Sequence, residues 1–130
     1  MQYSVEVRDA KQDAIDGAVG PAPMLEIRSG EPPAQPSMPD QGVLLAAETL
    51  PEVWLEKSRE GRKRKAGIWK LMPINDGTPG HFRIKQGGKT HMQGTVTRLD
   101  DGGDMEVDRV DFRRGQVAEV VEFATINGNR

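Results

Sequence analysis

The chain has 130 residues and a formal net charge of −2, with 35% hydrophobic and only 5% aromatic residues. That is the size of one ordinary domain, residues 1–130, and the shortage of large side chains implies a thin core of Val, Ile, Leu and Met. A deep aromatic-walled cofactor cavity is disfavoured, and the absence of Cys excludes disulfides, thiol catalysis and Cys-ligated zinc.

The 15 Gly and 9 Pro punctuate the chain every few positions, which argues for short elements joined by turns and against a helical bundle. No apolar run approaches the roughly 18–20 residues of a membrane span. The opening MQYSVEVRDA is acidic and reads as no secretory signal; with the missing thiols it suits a reducing cytosol. Charge is segregated: residues 1–50 carry 3 basic and 8 acidic side chains, residues 51–90 carry 10 and 4, and residues 91–130 carry 5 and 8. A basic centre between acidic ends suits an oppositely charged surface, including a second copy of the chain.

In chain order, Val5 to Val19 reads as a short amphipathic helix ended by Gly20-Pro21. Val7, Ala10, Ala14, Ile15 and Ala18 share one face, expected to dock, and Asp9, Lys11, Gln12, Asp13 and Asp16 fill the other. Residues 24–125 then read as a β-sandwich. Leu25 and Ile27 alternate with Glu26 and Arg28, a strand with one wet face. Residues 29–42 hold Pro32, Pro33, Pro36 and Pro39, and form an extended arm ordered against its own sheet edge or a neighbouring subunit.

Further strands are expected at Val43–Leu50, with Trp54–Lys57 as a continuation, and at Ile68–Met72, Gly80–Gln86, Lys89–Leu99, Met105–Phe112 and Val117–Thr125. Gly87-Gly88 predicts a tight hairpin in which position i faces 175 − i. The parity slip between Val107 and Val110 predicts a bulge near Asp108-Arg109. The pattern is mainly β: an antiparallel sandwich or jelly roll with a short N-terminal helix.

The sharpest chemical feature is Arg59-Glu60-Gly61-Arg62-Lys63-Arg64-Lys65. Such a run is a solvated loop, a grip on an acidic protein surface, or a polyanion site. Protein contact is preferred over nucleic acid, because no aromatic residue interleaves the run to stack on bases. The Asp100–Asp108 acids lack the spacing of a calcium loop and read as turn residues. His81 and His91 are not cross-strand neighbours under the predicted register, and no zinc set is complete. With no nucleophile elbow, P-loop or dinucleotide fingerprint, the reading is a non-enzyme without metal or cofactor.

The tracts Gly80-His81-Phe82-Arg83-Ile84-Lys85, Thr90-His91-Met92-Gln93-Gly94-Thr95-Val96 and Gly103-Asp104-Met105-Glu106-Val107-Asp108, in that order, resemble small virion proteins of tailed bacteriophages and prophages. Leu25-Glu26-Ile27-Arg28-Ser29-Gly30-Glu31-Pro32-Pro33 and Leu44-Leu45-Ala46 add to the likeness, which spans residues 5–125. Within that group the chain is similar to capsid cement or decoration proteins. The resemblance implies a jelly-roll sandwich without enzymatic activity, made in the host bacterial cytoplasm and placed on the outer capsid surface. Its partners would be the major capsid protein and further copies of itself, as a homodimer or other homo-oligomer, with no membrane.

Arg59, Arg62, Lys63, Arg64 and Lys65, with Pro32, Pro33 and Pro36 of the arm, are the protein-contact candidates. The Arg/Lys run is richer in charge than the small-residue loop expected of that group. Two other classes stay open. One is a head–tail connector or tail-associated structural protein. The other is a carbohydrate- or host-binding module using Trp54, Trp69 and Tyr3 as platforms, although core or interface packing is the preferred reading of both Trp residues.

Overall fold

The structure, a computed structural model, describes residues 1–126. Helix α1 spans Val5–Val19, as its periodicity predicts. The Ser4 hydroxyl accepts the Val7 amide at its start, and Gly20, at φ 100°, donates its amide to Asp16 at its end. Its docking face is not the expected alanine stripe. Gln12 and Val19 are buried and Ile15 packs on the core, whereas Val7, Ala10, Ala14 and Ala18 are exposed. Alanine removes little apolar area from water. The opposite face offers carboxylates at helical spacing, and fixed donors await them.

Eight strands follow: β1 (Met24–Ser29), β2 (Leu44–Thr49), β3 (Arg62–Arg64), β4 (Trp69–Leu71), β5 (Pro79–Gln86), β6 (Lys89–Arg98), β7 (Met105–Val107) and β8 (Ala118–Ile126). They form one sheet in the order β2-β1-β5-β6-β7-β8-β3, with β4 also on β8. Every pairing is antiparallel except β6 with β7, so the expected all-antiparallel sheet is corrected to a mixed one. The parallel return at residues 99–104 is far shorter than a usual crossover. Asp104 makes it possible by accepting the Thr95 amide at 3.0 Å while the Gly103 amide donates to Thr97 Oγ1 at 2.9 Å.

The sheet rolls back on itself. Ile74 donates its amide to the Leu45 carbonyl at 2.8 Å, and Met72 donates its amide to the Glu48 carboxylate at 3.0 Å. The roll is consistent with a β-sandwich, and its strand order does not establish jelly-roll connectivity. Inside lie Leu25, Ile27, Leu45, Leu71, Ile84, Met105 and Val120, as alternation predicts. At the centre, however, are aromatics: Trp54 to Trp69 at 6.4 Å, Trp69 to Phe123 at 5.4 Å, and Phe82 edge-on to Phe123 at 5.5 Å. The aromatic residues are few, but every Trp and Phe is buried. Trp54 and Trp69 donate their indole N–H groups to the Gly20 and Ala66 carbonyls, so neither is an exposed sugar platform.

The β5–β6 hairpin turns at Gly87-Gly88, both at positive φ. Its register is the predicted one at Gln86↔Lys89 and Lys85↔Thr90, then slips so that Ile84 faces Met92 and His81 faces Thr95. His91 sits at that slip and is not the partner of His81. Strand β7 stops at Val107 instead of running to Phe112. Phe112 is buried and pairs separately with Gly77, and the irregularity falls between Glu106 and Val107 rather than at Asp108-Arg109. Among the described residues, no helix is long and apolar enough to cross a membrane.

Candidate protein-contact surface

The basic run is not a loop. Residues 55–65 form a hairpin: Leu55 bridges Lys65, Glu56 donates its amide to the Arg64 carbonyl, and Arg59 and Arg62 exchange both backbone bonds. Glu60 and Gly61 take φ 54° and 74°, the paired positive values that match a hairpin's twist. Strand β3 then pairs with β8, Lys63 opposite Thr125. Strand alternation sorts the cations. Arg62 and Arg64 point to solvent, and Lys63 points inward with 2% exposure.

Lys63 is thus corrected from a surface contact to an internal tie. Its Nζ lies 2.8 Å from Asp13 and 3.4 Å from Asp16 of α1. Asp13 also accepts the Ser58 amide at 2.7 Å, and Asp9 accepts the Gly61 amide at 2.7 Å and the Ser58 hydroxyl at 2.8 Å. Thr125 Oγ1 donates to Gln12 Oε1 at 2.6 Å. The Gly61 amide, then the Ser58 hydroxyl, hold the Asp9 carboxyl below its ordinary value. The Lys63 ammonium, then the Ser58 amide, do the same for Asp13. The acidic helix face is therefore a clasp that fixes the hairpin.

What remains outside is a basic groove of about 410 Å³ lined by Glu56, Lys57, Arg59, Glu60, Arg62 and Arg64. Arg64 lies 3.8 Å from Glu122, with both side chains about half exposed, a weak pairing. Arg59 and Arg62 make no side-chain ion pair or hydrogen bond among the described residues. Lys65 lies half-buried and donates to the Gly67 carbonyl at 2.8 Å. Of the predicted basic contacts, Arg59, Arg62 and Arg64 share one outward surface.

The proline arm lies on its own sheet. The face of β1 expected to be wet continues onto β5 and carries Glu26, Arg28, Arg83 and Lys85, and Asp40 closes over it. Asp40 stands 2.6 Å from Arg83, 2.6 Å from Lys85 and 3.3 Å from Arg28. Arg83 is buried and also donates to Gln93 Oε1 and to the Gln35 and Pro36 carbonyls, while Gln93 donates to the Pro33 carbonyl. The Lys85 ammonium first, and the Arg83 guanidinium next, hold Asp40 down to about 2 against the opposing effect of burial.

Pro33 is buried, Pro32 half-buried, and only Pro36 of the three candidates is exposed. It borders an open groove of about 630 Å³ beside the Gly87-Gly88 hairpin. Asp40, Arg83 and Gln93 are the residues the sequence reading missed. The available signal was charge balance, since three cations on one sheet face with only Glu26 among them required an acid from elsewhere.

His81 and the acidic turn have local roles. His81 is fully buried, its Nδ1 2.9 Å from the Gly30 carbonyl, and Glu106 accepts the Gly102 amide. Compared with known proteins, the chain matches no family model, no curated protein and no solved structure.

Proposed function

We propose that the chain is a non-enzymatic virion structural protein: a capsid cement or decoration protein that binds the outer face of a tailed-phage shell and itself. The supporting observation is the hairpin of residues 55–65. It is clasped from behind by Asp9, Asp13 and Asp16, so that Arg59, Arg62 and Arg64 are presented on a fixed frame. A rigid cationic edge lowers the ordering cost of binding a carboxylate-rich protein surface. The strand-and-turn likeness to phage virion proteins points the same way. In this reading Pro36 and the exposed Met38 at the arm's bend are the second contact, and many weak contacts summed over a shell give the net hold.

The test is sedimentation with shells of the phage or prophage that carries the gene, followed by a density map. Substituting Arg59, Arg62 and Arg64 together by Ala is expected to lower occupancy about tenfold or more, a loss of roughly 1.4 kcal/mol per site, while the circular dichroism spectrum stays unchanged. Absence of the chain from the outer shell of purified virions would overturn the assignment. Unchanged occupancy of the triple variant would remove the hairpin from it.

A further inference from the structure

The outward faces of β4 and β8 carry a second surface, distinct from the basic groove. Exposure alternates strictly from residue 68 to 74: Ile68, Lys70, Met72 and Ile74 face solvent, while Trp69, Leu71 and Pro73 are buried. Ile68 is 65% exposed and Met72 44%. Across the pair, Lys70 is opposite Glu119, and continuing that register by one residue at each end of β4 places Ile68 beside Val121 and Met72 beside Val117, itself 45% exposed. The strip therefore reads apolar pair, charge pair, apolar pair. Lys70 and Glu119 are neighbours yet form no ion pair with each other. Isolated exposed apolar residues need no explanation, but a continuous row around an unused charge pair does.

We infer that this strip is the self-association face, on which two copies pair about a two-fold axis parallel to β4 and β8. That operation lays β4 of one copy over β8 of the other. It sets Ile68 on Val121 of the partner subunit, Met72 on Val117 of the partner subunit, and Lys70 on Glu119 of the partner subunit. Because the operation is two-fold, each of these contacts occurs twice. The occupant is a second copy because the strip carries one charge of each sign and no net charge. An acidic or basic partner would gain nothing here, whereas the strip is complementary to itself. Ile74 continues the apolar row on one side. The face is small, which places the dimer among weak interfaces. The inference deepens the self-association in the reading above and does not depend on a capsid.

Sedimentation velocity of the full chain over roughly 5–500 µM is expected to show a reversible dimer with a dissociation constant in the micromolar range. Lys70→Glu, and separately Glu119→Lys, should raise that constant about tenfold or more by setting like charges opposite each other twice. The double variant K70E/E119K should return to within about threefold of the natural chain. Ile68→Ser should weaken dimerisation and leave the melting curve within a few degrees, which separates a lost interface from a lost fold. A chain that stays monomeric throughout, or a dimer indifferent to all of these substitutions, overturns the inference. Shell binding that persists in K70E after dimerisation is lost would leave the decoration reading standing without this face.

Discussion

Two charged seams hold this molecule together, and they are built with opposite polarity. At the helix seam one buried cation, Lys63, is met by two carboxylates of α1. At the arm seam one carboxylate, Asp40, is met by Arg28, Arg83 and Lys85. In both, a segment with little apolar surface is ordered chiefly by fixed hydrogen bonds, with only Val19 and Ile15 of the helix and Pro33 of the arm as apolar side chains packed inward. The consequences differ. The helix seam uses only one cation of a basic hairpin and leaves its neighbours outward. The arm seam engages nearly every charge it gathers, so the proline arm is held down over its sheet whereas the hairpin keeps Arg59, Arg62 and Arg64 exposed.

The comparison is broken most severely at Arg83. Arg83→Met removes a buried guanidinium that serves Asp40, Gln93 and two arm carbonyls. Asp40 keeps Lys85 and Arg28, but the carbonyls lose their donor. A cost of about 3 kcal/mol is expected, read as a lower midpoint in urea, with cleavage by a nonspecific protease beginning within residues 29–42. Equal stability and an equally resistant arm would show that the arm does not depend on this seam.

The helix seam is expected to be the weaker of the two. Lys63→Met leaves Asp13 and Asp16 without their cation, but both side chains are about one-third exposed and water can replace it in part. About 2 kcal/mol is expected. Arg62→Ala and Arg64→Ala should each fall within about 0.5 kcal/mol of the natural chain. Urea melts of the three variants side by side sharpen the inside–outside alternation of β3. Equal effects at all three positions would mean that the strand is not sorted as described.

Local order was legible in the sequence; which surface meets which was not. The bounds of α1 follow from its apolar period and from Gly20-Pro21, and the Gly87-Gly88 turn from its dipeptide. The docking face of α1 was misread because periodicity records where apolar residues recur. It cannot tell that Ser58, Gly61 and Lys63 wait to receive Asp9 and Asp13 across more than forty positions of chain. Strand β3 was hidden because a run of consecutive cations shows no alternation of polarity, although its geometry alternates. The contact between the arm and Arg83 is likewise non-local, and only charge imbalance on β1 and β5 hinted at it.

A graded effect is the pH dependence carried chiefly by the arm. The carboxyl of Asp40 lies at about 2 in the folded chain, below the roughly 3.9 of an unfolded aspartate. A lowered folded value means that the unfolded chain binds protons more readily, so stability falls as pH falls. The contribution is complete above the unfolded value and is lost progressively between about pH 4 and pH 2. Asp9 and Asp13, also lowered, act in the same direction. Asp40→Asn isolates the arm's share. Its stability deficit relative to the natural chain should be constant from pH 7 to about pH 5, shrink below pH 4 and vanish near pH 2. Urea midpoints measured at each pH for both proteins provide the test. A deficit that persists unchanged at pH 2 would mean that Asp40 acts through the shape of its carboxyl group rather than its charge, and the contrast of polarity between the two seams would then be one of geometry alone.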